Sequence, residues 1–261
     1  MSALAARRRH PLATVVLVVI GLFATGLAYA AVIPTAASAA QPSADDIAAG
    51  RKLFLANCAT CHGFNAEGRD EAPSLIGVGA AAVDFQVGTG RMPMTTTGPQ
   101  APKAPEVDFT DEEIKQMAAY VASLAPGPPI PDADQVDPAK GDPSRGAMIF
   151  RTNCAMCHNF AGKGGALTRG KYAAGLAGVT PTHAYEAMVS GPQSMPVFND
   201  ATMDPQSKRD IIAYLDAVSS APSPGGLNLG SIGPVSEGMV AWIFGIIVLI
   251  GCAVWLGSKA A

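Results

Sequence analysis

One five-residue pattern occurs twice in this chain, as Cys58-Ala59-Thr60-Cys61-His62 and as Cys154-Ala155-Met156-Cys157-His158. Each reads Cys-x-x-Cys-His, the attachment site of a c-type haem. The spacing follows from the chemistry. Two thiols must reach the two vinyl groups on one porphyrin edge, and the next imidazole must turn under the ring to bind iron. The chain has five cysteines, and four of them fall in these two copies. A zinc site built from both pairs, or two redox dithiols, would also use paired cysteines. Zinc does not account for the histidine directly after each pair. A thioredoxin-type dithiol needs a βαβ context, and the flanking sequence here reads as helix. The expectation is two covalently bound haem c groups. Cys58, Cys61, Cys154 and Cys157 form the thioethers, and His62 and His158 bind iron.

The repeat extends beyond the motif. Gly146, Phe150 and Asn153 recur about 96 residues after Gly50, Phe54 and Asn57, at the same offset as the cysteines, which points to duplication of a whole domain. The first unit, residues 45–126, opens with a helix. Asp45 and Asp46 suit its N-terminal dipole, and Ile47, Gly50, Phe54 and Leu55 form one stripe. It closes with a second helix. Thr110-Asp111-Glu112-Glu113 reads as a capping box, Ile114, Met117, Ala118, Val121 and Leu124 recur at helical spacing, and Pro126-Gly127-Pro128-Pro129 ends the run. The second unit, residues 143–220, closes on a helix carrying Ile211, Ile212, Leu215 and Val218, with Asp204 as N-cap and Pro205 in the first turn.

Between the helices of the first unit stands Gly90-Arg91-Met92-Pro93-Met94, and in the second Gly191-Pro192-Gln193-Ser194-Met195-Pro196. An N-terminal helix, Cys-x-x-Cys-His, a loop-rich middle, Met-Pro and a C-terminal helix resemble class I cytochrome c. The resemblance implies that Met92 and Met195 are the distal iron ligands. It also implies that Gly50 and Phe54 pack against Tyr120, with Tyr214 as the counterpart of Tyr120 in the second unit. A thioether is soft, and Met/His ligation raises the potential of a haem. Met94 is the rival for the first site and His183 for the second. His183 lies in Thr180-Pro181-Thr182-His183, the first turn of a helix, where a surface or capping role is the plainer reading. Met117, Met148, Met156 and Met188 read as packing residues. Gly162 to Leu167 lacks the ending of a P-loop and is expected to turn around the porphyrin edge. Tyr172 is left open between a propionate contact and packing.

The two ends are apolar. Arg7-Arg8-Arg9-His10 precedes an uncharged run from Pro11 to Ile33, and residues 1–34 read as a signal or a membrane anchor. Ala37-Ser38-Ala39 is a small-residue cleavage site, so both a retained and a cleaved segment stay open. Residues 236–258 read as a transmembrane helix, with Trp242 and Trp255 near its ends and a tail at 259–261 on the cytoplasmic side. Residues 35–44, 127–142 and 221–235 read as linkers. Cys252 lies inside the C-terminal span, where packing or acylation are the readings. Haem c attachment and the basic N-terminus both place residues 45–220 on the extracytoplasmic face. Only 15% of the chain is charged and its net charge is −3. With no basic stripe among aromatics, nucleic-acid binding is excluded. The first unit has 11 acids and 6 bases, the second 5 acids and 7 bases. This reads either as ordinary variation or as two surfaces for differently charged partners.

The fold class expected is thus mainly α: two tandem cytochrome c domains, a C-terminal transmembrane helix and an N-terminal apolar helix. Six-coordinate irons leave no open position for a substrate, which favours electron transfer over a di-haem peroxidase. A cytochrome c subunit of a membrane-bound dehydrogenase is the alternative. The whole chain further resembles the family of di-haem cytochrome c subunits of the actinobacterial menaquinol–cytochrome c reductase. Gly90-Arg91-Met92-Pro93, Cys157-His158-Asn159-Phe160-Ala161-Gly162-Lys163-Gly164-Gly165-Ala166-Leu167 and Gly191-Pro192-Gln193-Ser194-Met195-Pro196 carry that resemblance, with the basic N-terminal segment and the C-terminal span. It implies a complex with a cytochrome b and a Rieske iron–sulfur protein, and delivery of electrons to a haem-copper oxidase. Quinol oxidation belongs to those partners, since this chain has no Rieske-type Cys-His pairs and no multi-span haem b bundle.

Overall fold

The computed structural model describes residues 11–32, 42–70, 72–96, 98–220, 229 and 234–259. The basic cluster at 7–10, the cleavage motif at 37–39 and most of the linkers at 35–44 and 221–235 lie outside the described residues. Helix α1 (Pro11–Val32) is a compact unit by itself. It and the last helix, α11 (Pro234–Lys259), are the two helices among the described residues long and apolar enough to cross a membrane. Neither spanning window buries a residue, so the apolar side chains of both, Trp242 and Trp255 included, are exposed.

Between them stand two helical domains with separate cores. The first is built from α2 (Ala44–Asn57), α3 (Ala59–His62), α4 (Gly79–Gly88) and α5 (Asp111–Leu124). Helix α2 is capped by the Ser43 hydroxyl, which accepts from the Asp46 amide at 3.0 Å. Helix α5 has the expected capping box. Glu113 N–H donates to Thr110 Oγ1, and Thr110 N–H donates to Glu113 Oε2 at 2.9 Å. Helices α2 and α5 cross at Gly50. A Cβ there would stand 1.8 Å from the Gln116 carbonyl oxygen, so only glycine allows this approach. The crossing brings the Phe54 and Tyr120 rings to 5.2 Å, tilted by 50°.

The second domain repeats this arrangement. It uses α6 (Ala133–Val136), α7 (Pro143–Asn153), α8 (Ala155–His158), α9 (Pro181–Ser190) and α10 (Pro205–Ser220). Helices α7 and α10 cross at Gly146, where a Cβ would stand 1.9 Å from the Asp210 carbonyl oxygen. Phe150 and Tyr214 meet at 5.3 Å and 49°. Asp204 caps α10 through the Ser207 amide at 2.8 Å. The buried Asp210 carboxylate fastens the two helices, accepting from Arg145 at 2.9 Å and from the Asp142 amide at 2.9 Å.

Three segments are more ordered than their sequence suggests. Val136, inside the acidic stretch expected as a linker, is buried in the second core. The Pro128 carbonyl accepts from Ala81 N–H at 3.1 Å, so the start of that stretch lies along α4. The glycine-rich run after the second motif forms strand β1 (Gly165–Ala166), paired antiparallel with β2 (Tyr172–Ala173). Strands this short are below the reach of periodicity.

The proline-rich insertion at 98–105, whose role the sequence leaves open between a docking loop and slack, makes defined contacts with the second domain. Gln100 Nε2 donates to the Tyr172 carbonyl and Gln100 Oε1 accepts from Tyr172 N–H, both at 2.9 Å. Its amide thus mimics a backbone partner for β2. Ala101 N–H donates to Gln193 Oε1 at 3.2 Å. With α4 packed against α9, these contacts join the two domains on the side that carries both Met-Pro segments.

Candidate haem centres

Each motif begins where an opening helix ends. Cys58 N–H donates to the Phe54 carbonyl at 2.8 Å and His62 N–H to the Cys58 carbonyl at 2.9 Å. Cys154 and His158 repeat both bonds, to Phe150 and Cys154, at 2.8 and 2.9 Å. The first cysteine of each pair has the same backbone, φ −117° and ψ −31° against φ −118° and ψ −36°. The residue after each histidine takes positive φ with extended ψ, 83° and 158° at Gly63 and 66° and 158° at Asn159, a region that glycine enters freely and that is strained for asparagine. One sequence pattern has therefore folded twice into one turn, placing two thiols and an imidazole on a single short stretch.

The imidazoles are oriented alike. His62 Nδ1 bonds the Pro73 carbonyl at 2.8 Å, and His158 Nδ1 bonds the Ala174 carbonyl at 2.9 Å. A carbonyl only accepts, so Nδ1 carries the proton and Nε2 is left as the basic nitrogen, the arrangement that ligating histidines adopt. The two carbonyls lie 11 and 16 residues downstream of their histidines. The β1–β2 hairpin absorbs the extra length of the second loop.

Met92 and Met195 each pack against the core of their own domain. The backbone holds them there. Met92 N–H donates to the Gln86 carbonyl near the end of α4 at 2.9 Å, and Met195 N–H donates to the Pro192 carbonyl at 3.0 Å. Met94 is exposed. Met117 and Met188 are core residues, as expected, whereas Met148 and Met156 are not, Met156 being 90% exposed. Met156 lies between the two motif cysteines, on a turn whose outer face no described residue covers.

Burial, and after it the second thiol of each pair, pushes the Cys58 and Cys154 thiols up to about 11. A redox dithiol needs a depressed thiol pKa, and these two are displaced the other way. Nor do the thiols gather round one zinc. Among the described residues, the single group of three or more His, Cys, Asp or Glu side chains with ligand atoms within 4.8 Å of one another is Asp84, His183 and Glu186. The residues present do fit haem c. Each domain offers two cysteines and one oriented imidazole on one turn and a soft thioether in the same core.

His183 behaves differently from its expected surface role. Thr180 caps the first turn of α9 by accepting from the His183 amide at 3.2 Å. The imidazole itself reaches across to the first domain, with Nε2 3.7 Å from Asp84 Oδ2 and a side-chain exposure of 23%. Burial lowers its pKa, with Asp84 opposing. Beside it Glu186 is fully buried, and what its carboxyl faces is the Asp84 carboxyl, which can hydrogen-bond to it only if one of the two holds a proton. Burial, then Asp84, pushes that carboxyl up to about 9. Sequence reading missed Asp84 and Glu186. The one available signal was that each is the lone acid of its helix.

Two helical domains, each setting a Cys-x-x-Cys-His turn between helices that cross at a glycine, define a cytochrome c with tandem domains. The family model described as Cytochrome c matches residues 47–125, and that of Cytochrome C oxidase, cbb3-type, subunit III, matches residues 141–215. The chain is 43% identical to the cytochrome bc1 complex cytochrome c subunit of Corynebacterium efficiens, covering 97% of this chain and 90% of that one. It is 43% identical to the same subunit of Mycobacterium tuberculosis, covering 97% and 93%. A shorter match, 32% identical over 45% of this chain and 40% of the other, is to the cbb3-type oxidase subunit FixP of Sinorhizobium medicae. The chain belongs to the family of cytochrome bc1 complex cytochrome c subunits. It is a membrane-associated haem c protein with an electron-transfer role in the respiratory chain.

Proposed function

We propose that the chain is the di-haem electron-output subunit of a menaquinol–cytochrome c reductase, passing electrons from a Rieske iron–sulfur protein to a haem-copper oxidase. The observation that carries the di-haem reading is the duplicated turn, with each histidine's Nδ1 tied to a backbone carbonyl. Haem c, when bound, supplies one-electron chemistry at iron. The chain's own residues do the rest. Cys58 and Cys61 in the first domain, and Cys154 and Cys157 in the second, would hold the group through thioether bonds. His62 and His158, together with Met92 and Met195, would hold the two irons. Residues 45–126 and 143–220 are the two haem domains, and they stand on the extracytoplasmic face.

The partners rest on the family. Its members are named as subunits of a bc1 complex, and cytochrome b and a Rieske protein supply the quinol chemistry this chain lacks. The chain contributes electron transfer to that enzyme. A duplicated, tethered cytochrome makes sense there, because holding donor and acceptor nearby turns a diffusive encounter into an intramolecular step. The reading as a dehydrogenase subunit is disfavoured by relatives that cover nearly the whole chain.

The test is a reduced-minus-oxidised spectrum of the tagged protein purified from its native membrane in mild detergent. A c-type band with b- and a-type bands in fixed proportion is expected. A c-type band accompanied by a flavin or quinone dehydrogenase, with no b-type band, would transfer the chain to the alternative.

A further inference from the structure

The interface between the haem domains holds a cluster that electron transfer does not use. Asp84 comes from α4 of the first domain, and His183 and Glu186 from one face of α9 in the second, three residues apart. One ligand atom from each lies within 4.8 Å of the other two. Glu186 is completely buried, and among the described residues no donor other than a proton shared with Asp84 reaches its oxygens. The other two buried charged side chains among the described residues are matched. Asp210 accepts from Arg145 and the Asp142 amide, while Lys208 donates to Asp200 at 2.6 Å and to the Met203 carbonyl at 2.7 Å. Burying a carboxylate without such partners is costly unless a proton or a cation joins it. Gly88 contributes space, since a Cβ there would stand 3.2 Å from His183 Nε2.

We propose that Asp84, His183 and Glu186 form a binding site for a divalent cation of the zinc class that clamps the two haem domains together. One imidazole and two carboxylates are ligands zinc accepts, and a water completes its usual four-coordination. Two carboxylates and a divalent cation sum to neutrality, which removes the penalty of burying Glu186. Because the ligands come from both domains, the cation fixes α4 against α9. That holds the relative placement of the two Met-Pro segments. Of the four histidines in the chain, His62 and His158 are committed to the haem motifs and His10 precedes the N-terminal helix, leaving His183 for this role.

The competing occupant is a proton shared between the Asp84 and Glu186 carboxyls. The experiment takes the full-length holoprotein in detergent, strips it with a chelator, adds zinc sulfate, desalts it and measures zinc per haem by mass spectrometry. Asp84→Asn, His183→Gln and Glu186→Gln are carried alongside, with the c-type spectrum as the check on folding. The expected result is one zinc per chain in the wild type and at least about tenfold weaker retention in each variant. Zinc should also raise the thermal midpoint of the wild type and leave that of Glu186→Gln unmoved. No zinc retained by the wild type, or equal retention in wild type and folded variants, overturns the proposal and leaves the shared proton in its place.

Discussion

His62 and His158 each give Nδ1 to a backbone carbonyl, at 2.8 and 2.9 Å, so the tautomer that leaves Nε2 basic is set by the fold and not by chance. The candidate cysteines and histidines can be singled out in the sequence because their spacing is itself the chemistry. The methionines were not legible from spacing, since a methionine is also common core filler. They entered only through resemblance, and their packing against the two cores is consistent with it. Met92→His should therefore lower the potential of the first haem by an amount on the order of 0.1–0.3 V, within the roughly 0.8 V that axial ligation spans. The helical content should stay intact. Spectroelectrochemistry of the full chain reads this directly, and an unchanged potential removes Met92 as a ligand. What the sequence could not show was Asp84 beside His183 and Glu186. Those residues are about a hundred positions apart along the chain, and no local pattern records a pairing between domains.

Helices meet at glycine in both domains. At Gly50 and Gly146 an added methyl would overlap a backbone carbonyl, at 1.8 and 1.9 Å, so the helices themselves must part. Gly50→Ala and Gly146→Ala should each destabilise their domain by about 1–3 kcal/mol, seen as a lower thermal midpoint with the haem spectrum retained below it. A midpoint unchanged in both would mean that the crossings are not close-packed. The helix caps give a pH dependence. The Thr110 amide and hydroxyl hold the Glu113 carboxyl below its ordinary value of 4.5, and the Ser207 amide and hydroxyl hold Asp204 below 3.8. A carboxyl lowered on folding stabilises above its unfolded pKa and loses that contribution as protons bind. Thermal stability should thus fall as pH drops below about 4, and Glu113→Gln with Asp204→Asn should flatten that part of the profile. Both caps were visible in the sequence, because capping chemistry lies within four residues. Helix α4 and the β1–β2 hairpin were not, the first lacking a polar face and the second too short.

At the scale of the molecule, the two haem domains are joined by more than a linker. Gln100 pairs with both backbone groups of Tyr172, Gln193 receives the Ala101 amide, and α4 lies on α9. An insertion that the sequence leaves open between docking loop and slack is thus a strap across the interface, and its partner strand exists only in the folded second domain. Gln100→Ala should speed hydrogen exchange at the Tyr172 amide by about fivefold, the equivalent of losing roughly 1 kcal/mol of hydrogen bonding, with no change in the haem spectrum. Unaltered exchange would show that the strap does not hold in solution. A fixed interface suits the proposed passage of electrons between two haems in one chain. The duplicated domain, the family and the two apolar helices all point to such a membrane-tethered relay. The measurement closest to that claim is haem per chain, by pyridine haemochrome against protein concentration and by intact mass of the purified full-length protein. Two covalent haems are predicted, falling to one in Cys58→Ala/Cys61→Ala and to one in Cys154→Ala/Cys157→Ala. A single haem in the wild type, or none that survives denaturation, would contradict the account.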